Sequence, residues 1–415
     1  MWNSSRFALS ISTAALIAGC SGLQLPIGAP GAIPQSRTFA PAFSLAHRTT
    51  ASSYEVLYRF RSHADGTRPI AGLVDVDGTL YGTTSQGGSS GHGTVFSVGT
   101  SGKEKVLYSF AGGSDGAYPV AGLIDVNRTL YGATDSGGSF DKGTFYSISM
   151  TGTEKVLHTF GRGPDGANPD GDLTNVKETL YGTTTYGGSG CGSPGCGTVY
   201  RIGTTGSEKV LHSFKGGSDG AYWPQSKLLD VNGTLYGTTY LGGGSGCSYY
   251  HGCGTVFSVT TAGLEKLLYR FADGSNGAYP YGGLVKANGA LYGTTFGGGG
   301  DFYLGIVYSI STGGAEKVLH RFDARRSGAR APLSPLTEVN GTLYGTTTQG
   351  GGGTIYSISM TGGMKVLHNF SGGSDGSYPE GPLIYMNGTL YGTTFYGGRG
   401  NGTRHCCGTV FALAL

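Results

Sequence analysis

Four groups of side chains in this sequence have the types and spacing for chemistry. The first is sulfur. Besides Cys20 there are six cysteines. Cys191 and Cys196 share one glycine-rich stretch, Cys247 and Cys253 share another, and Cys406 and Cys407 are adjacent. Cys196, Cys253 and Cys407 each stand directly before Gly-Thr-Val. In an exported chain such short-range pairs read as loop disulfides, with Cys406 and Cys407 either a vicinal disulfide or free thiols. Zinc is the other use of such thiols, but the spacing matches no zinc pattern, and no metal is expected there. The second group is imidazole. His158, His212, His320 and His368 occupy one position of a recurring Val-Leu-x-x-Phe run, where other copies carry Tyr58, Tyr108 and Tyr269. They belong on separate outer strands, do not converge on one another, and read as structural. His251 and His405 lie beside cysteines and are weak metal candidates.

The third group is carboxylate. Asp65, Asp115, Asp165, Asp219 and Asp375, with Asn276, each precede a glycine. The plain reading is an Asx-type turn that satisfies nearby backbone N–H groups. Carboxylate and carbonyl oxygens also suit Ca2+, the one ion to weigh; no cofactor is otherwise expected. A glycosidase would need one unlike pair of carboxylates facing each other, and the sequence offers no such asymmetric pair. No Ser-His-Asp order, phosphate loop or dinucleotide fingerprint is present. The fourth group is aromatic and cationic. Tyr186, Trp223, Tyr240, Tyr249, Tyr250, Phe302, Tyr303 and Tyr396, with Arg325 and Arg326 from an arginine cluster, are the candidate ligand contacts. Aromatic rings among glycines stack on sugar rings or anchor a partner protein, and guanidinium groups meet anions. Tyr118, Tyr279 and Tyr378, each before a proline, read instead as packing between neighbouring units.

Such side chains need a scaffold, and the scaffold is a repeat. Leu-Tyr-Gly begins at Leu80, Leu130, Leu180, Leu235, Leu291, Leu343 and Leu390. Gly-Thr-Val-Phe or a close variant begins at Gly93, Gly143, Gly197, Gly254, Gly305, Gly353 and Gly408. In the second copy the runs Gly122–Val126, Thr129–Thr134, Gly143–Ser149 and Lys155–Phe160 are rich in β-branched and aromatic residues and bounded by glycine turns, the pattern of four short strands. Asp77-Gly78 and Asn232-Gly233 are strong hairpin signals between the first two. Four antiparallel strands every ~50 residues predict an all-β chain, a β-propeller with seven blades in the kelch size range. The repeat region starts with a fourth-type strand and ends with a third-type one, so the N-terminal strand completes the last blade and closes the ring, leaving no open edge. Lys177-Glu178 replaces the Asn-Gly turn in blade 3 and Ala324–Pro332 replaces the Asp-Gly motif in blade 6; both blades are expected to be less regular there.

Composition agrees. Of 415 residues, 81 are glycine and only 13% are charged, against usual shares near 7% and a quarter. Glycine at this level argues against a helical protein. A net charge of +3 with no basic stripe gives no footprint for nucleic acid.

The motifs Leu-Tyr-Gly-Thr-Thr, Gly-Gly and Gly-Thr-Val-Phe, as in Leu80–Thr84, Gly87-Gly88 and Gly93–Phe96, with Ser-Asp-Gly-Ala-x-Pro as in Ser114–Pro119, resemble the Gloeo/Verruco tandem-repeat family of bacterial surface proteins. The resemblance covers residues 54–415. It implies an exported or anchored protein with no established enzymatic activity. Before the repeats, Arg6 and the apolar Phe7–Ala18 have the form of an export signal. Ile17-Ala18-Gly19-Cys20 resembles the lipobox of bacterial lipoproteins. That resemblance implies cleavage of 1–19, lipidation of Cys20, and, with Ser21 following, an outer-membrane address in a diderm host. Residues 20–53, with Pro26, Pro30, Pro34 and Pro41 among Gly, Ala and Ser, read as a flexible tether.

In a propeller the links between strands two and three, and between four and one, share one face. Here those links are long and variable, and binding is expected on them. The sequence thus describes a lipid-anchored, monomeric binding or adhesion module of the cell envelope, with a glycan or a surface protein as ligand. A propeller-type carbohydrate-active lyase or hydrolase, and an envelope spacer, are the alternatives.

Overall fold

The computed structural model describes residues 53–61, 64–161, 164–216, 222–244, 247, 252–272, 274–300, 304–323, 328–398 and 407–415. Among these, the strands form seven antiparallel four-stranded sheets. Blade 1 is β2 (Val74–Val76), β3 (Thr79–Thr84), β4 (Thr94–Gly99) and β5 (Glu104–Ser109), paired in that order. The same pattern continues through residues 124–159 (β6–β9), 174–213 (β10–β13), 229–270 (β14–β17), 285–321 (β18–β21) and 337–369 (β22–β25) as blades 2 to 6. Blade 7 is β26 (Ile384–Met386), β27 (Thr389–Thr394) and β28 (Thr409–Ala414), and its fourth strand is β1 (Tyr54–Arg59). β1 lies antiparallel to β28, with Tyr54 opposite Leu413 and Arg59 opposite Thr409. The N-terminal strand therefore closes the ring, as the order of the repeats requires, and no terminal sheet edge is left to pair with another chain.

Burial follows strand order. Leu80, Val95, Phe96 and Val98 are fully buried, while the fourth strand is half-exposed along its length. One aromatic relay joins every blade to the next. The Phe that follows each fourth strand meets the third strand of the next blade edge-on: Phe60 on Phe96, Phe110 on Tyr146, Phe160 on Tyr200, and so on to Phe370 on Phe411, at 5.0–5.5 Å between ring centres. Edge-to-face pairs are worth about 0.5–1.5 kcal/mol beyond their buried area. The glycine of Leu-Tyr-Gly makes room for this relay. A Cβ at Gly82 would stand 2.7 Å from Cζ of Phe96.

The strand one–two hairpins are tight, with two successive left-handed residues as in Asp77 (φ 52°) and Gly78 (φ 80°), the form that matches strand twist. Blade 3 keeps it too. Lys177 and Glu178 take φ 51° and 65°, and the Glu178 N–H donates to Asn175 Oδ1 at 2.8 Å. The expected irregularity there is absent, because the turn is imposed by the ladder on both sides of it. In blade 6, residues 324–327 lie outside the described ones. Beyond them the loop is regular again: Arg330 bridges Gln349, and Pro332 packs on Gly305.

Candidate ligand-binding face

The four–one loops carry a feature that recurs in all seven blades. The residue before each proline of the Asp-Gly-Ala-x-Pro motif is left-handed: Arg68, Tyr118, Asn168, Trp223, Tyr279, Ala331 and Tyr378 have φ between 56° and 60°. For bulky side chains this is an outlier. The backbone hydrogen bonds explain it. Each of these carbonyls accepts from the two–three loop of its own blade, as from Ser85 N–H to Arg68 and from Tyr240 N–H to Trp223. In six of them the N–H points to the blade before: Arg68 donates to Cys407, Tyr118 to His92, Asn168 to Lys142, Tyr279 to Cys253, Ala331 to Leu304 and Tyr378 to Gly352. One residue thus joins two blades, and the left-handed turn is what lets its N–H and C=O diverge. The proline that follows packs on the glycine of the preceding Gly-Thr-Val-Phe.

The backbone of this ring is constant and its side chains are not. The positions on either side of the proline read Arg/Ile, Tyr/Val, Asn/Asp, Trp/Gln, Tyr/Tyr, Ala/Leu and Tyr/Glu from blade 1 to blade 7. A rigid frame whose side-chain pairs change from station to station is what a binding surface needs.

Two stretches of the ring are aromatic. Tyr186 meets Trp223 edge-on at 6.1 Å, Trp223 stacks on Tyr240 at 6.1 Å, and Tyr240 contacts Tyr279 at 5.2 Å and Tyr281 at 6.0 Å. All but Tyr279 keep an exposed portion. Polar groups lie at the same stations. Thr185 Oγ1 donates to Asp170 Oδ2 at 2.8 Å, and the Gln225 amide lies 3.5 Å from the same oxygen. On the other stretch Arg68 lies over Phe395 and Tyr396, and Tyr378 meets Tyr396 edge-on at 5.6 Å. Tyr118 sits edge-on to His92 of the preceding blade, Tyr279 is buried, and Tyr378 is 39% exposed. Tyr118 and Tyr279 thus pack between blades, Tyr279 on Tyr240 of the blade before, whereas Tyr378 packs on Tyr396 within its own blade, and Tyr118 and Tyr378 remain open on one side.

The structure brings Tyr186, Trp223 and Tyr240 into one arc and sets Tyr396 in the other. Cys20, Tyr249, Tyr250, Phe302, Tyr303, Arg325, Arg326, Cys406, His251 and His405 lie outside the described residues. Cys191 pairs with Cys196 and Cys247 with Cys253, and Cys407 is disulfide-bonded. Cys196 and Cys253 are fully buried, so each bridge ties a loop to the core under the first aromatic arc. Asp170, Thr185 and Gln225 were not singled out by the sequence. The signal was there: a recurring proline whose flanking pair of residues is different in each copy.

A second set of contacts lies on the outer rim. Asp65, Asp115, Asp165 and Asp375 each take the backbone N–H four residues back on Oδ2, as the turn reading predicts. Tyr58 and Tyr108 each donate to the aspartate seven residues on, at 2.7 Å. His158 and His368 face theirs at 3.4 and 3.5 Å. The histidines do not meet one another, but they meet carboxyl groups. A glutamate from the next blade completes three of these clusters, and its carboxyl is pushed up by burial and by the aspartate, to about 7 for Glu104 and Glu154 and about 8 for Glu208.

Fold and loop face together define a seven-bladed β-propeller that presents varied side chains on a repeated frame. The Gloeobacter/Verrucomicrobia repeat matches residues 42–250, 189–352 and 305–415, and the chain belongs to that family. No curated protein matches it. Among solved structures it is similar to a candidate 6-phosphogluconolactonase from Bacteroides uniformis (15% identity, 77% of this chain and 88% of that one, TM-score 0.52). A gluconolactonase from Xanthomonas campestris (16%, 74% and 90%, TM-score 0.42) and TolB from Acinetobacter baumannii (12%, 66% and 59%, TM-score 0.41) are more remote in shape. At these identities the likeness shows the fold alone.

Proposed function

We propose that the protein is a glycan-binding module of the cell envelope. In this reading it is exported, held to the membrane by lipid on Cys20, and lifted from it by residues 20–53. It acts as a monomer and uses the loop face of the propeller. The observation that carries the reading is the arc Tyr186–Trp223–Tyr240–Tyr281 with Asp170, Thr185 and Gln225 on the neighbouring stations of the same ring. Flat aromatic faces take the C–H face of a pyranose, and a carboxylate with an adjacent amide and hydroxyl takes its O–H groups. Sites for small polar ligands combine an apolar lining with a few placed polar groups in this way.

The test is a glycan array probed with the purified protein and with Trp223→Ala and Tyr240→Ala. A confined set of hits that both substitutions abolish supports the reading. Leu264→Ala is the control, since Leu264 is 74% exposed in a three–four turn on the opposite face, and it should keep all hits. Absence of hits, or hits indifferent to Trp223 and Tyr240, would overturn it.

A further inference from the structure

We propose that His158, Asp165 and Glu208 form a binding site for a divalent transition-metal ion of the zinc type on the outer rim of the propeller. The imidazole nitrogen and one carboxylate oxygen from each acid all lie within 4.8 Å of one another. Three different segments supply them. His158 is on the fourth strand of blade 2, Asp165 is in the loop entering blade 3, and Glu208 begins the fourth strand of blade 3. Each is fixed independently of a ligand: the Gly161 N–H holds Asp165 Oδ2 at 2.8 Å, and the strands hold the other two.

The chain itself shows what is unusual here. In the clusters Tyr58–Asp65–Glu104 and Tyr108–Asp115–Glu154, a phenol stands at the His158 position and donates its proton to the aspartate. An imidazole at that position can turn a nitrogen lone pair towards the two carboxyl groups, which a phenol cannot, and a nitrogen lone pair is a metal ligand. Nε2 of His158 and Oε1 of Glu208 are both shielded from solvent, as Oε1 of Glu104 and Glu154 are at their own stations, and here Nε2 faces Asp165 Oδ1 at 3.4 Å. A proton shared within the cluster, or a metal ion held by all three groups, satisfies these atoms. The cluster remains partly open, with 21% and 27% of the His158 and Asp165 side chains exposed, which leaves room for water as a fourth ligand. One nitrogen with two carboxylate oxygens and an open position suits zinc or manganese. Calcium prefers oxygen alone. At the related His368–Asp375 pair, Tyr54 takes the place of the glutamate and stacks on His368, so that station lacks the third ligand.

The test is titration of the metal-stripped full-length protein with Zn2+ and, separately, with Co2+. The expected result is bound zinc, a visible cobalt band, and loss of both at this station in His158→Tyr, a change to the residue that blades 1 and 7 already carry. Glu208→Gln should weaken zinc binding tenfold or more, which keeps the test open if His158→Tyr folds poorly. His368→Tyr should leave the titration unchanged. No zinc uptake by the wild type, or equal uptake and the same cobalt spectrum in His158→Tyr and Glu208→Gln, would overturn the proposal.

Discussion

The backbone N–H of Arg68 donates to the carbonyl of Cys407 at 2.9 Å, across the junction between the last blade and the first. The residues on either side repeat the contact that every other pair of blades makes. Pro69 packs on Gly408 as Pro119 packs on Gly93. The closure of the ring is therefore the ordinary blade junction, made between positions about 340 residues apart, and its strength can be probed as such.

Gly408 has φ +93°, and a Cβ there would collide with Thr394 O and with Cδ of Pro69. Gly78, at φ +80°, has open space around it. Both alanine substitutions incur left-handed strain of about 1–2 kcal/mol, but only Gly408→Ala adds overpacking of about 1–3 kcal/mol. Denaturant unfolding should show Gly408→Ala costing about 3 kcal/mol and Gly78→Ala about 1 kcal/mol. Equal losses would mean that the junction yields without resistance.

Tyr146, Tyr200, Tyr308 and Tyr356 bury their hydroxyls completely and without a hydrogen-bond partner. The same third-strand position is Phe96, Phe257 and Phe411 in the other blades. A buried unsatisfied hydroxyl costs about 1–3 kcal/mol, and the ring otherwise packs alike. Each Tyr→Phe change should therefore leave stability unchanged or raise it, by up to about 1 kcal/mol. Thermal unfolding of the four single variants checks this, and a loss of 1 kcal/mol or more would reveal a partner for the hydroxyl.

The blades, their strand order and the ring closure were legible because the repeat is exact where packing is uniform. Leu80 and Gly82 recur, and an aromatic ring recurs at the Phe96 position, because each meets the same neighbours in every copy. The loop disulfides were legible because Cys191–Cys196 and Cys247–Cys253 are closed within single loops. What the sequence hid were contacts between copies. His158 and Glu208 are 50 positions apart, each in an ordinary place in its own repeat, and only the packing of one blade on the next brings them together. The left-handed residues before proline were hidden for a related reason. Arg68, Trp223 and Ala331 share no side-chain property, because their common feature is a backbone shared between two blades. The regular turn at Lys177-Glu178 shows the same precedence of the frame over local preference.

The bridge Cys191–Cys196 closes a loop of a few residues, for which the chain-entropy account gives about 2 kcal/mol. Its two ends differ. Cys196 is fully buried against Phe214 and Val199, while Cys191 is half-exposed. Cys191→Ser and Cys196→Ser break the same bond, but only the second buries a hydroxyl in an apolar cluster. Cys196→Ser should be the more destabilising by about 1 kcal/mol or more, in unfolding compared under oxidising conditions. Equal effects would assign the whole cost to the bond.

The rim glutamates give stability a pH dependence whose sign is fixed. Burial, with the charge of Asp65 or Asp115, pushes the Glu104 and Glu154 carboxyls up to about 7 from an ordinary 4.5. Between those values the folded chain holds protons that the unfolded chain has released. The linked stability is full below about 4.5 and is lost as pH rises to about 7. His320 and His368 work in the opposite sense, because burial holds their imidazoles below the ordinary 6.5. Their contribution is full above that value and falls as pH drops through their folded-state values. Glutamine at 104 and 154 mimics the neutral acid at every pH, so Glu104→Gln/Glu154→Gln isolates the carboxyl contribution. Melting curves of the double variant and wild type should coincide near pH 4.5, and the variant should melt higher at pH 8. Parallel curves across that range would mean that both carboxyls ionise in the folded protein as they do in water.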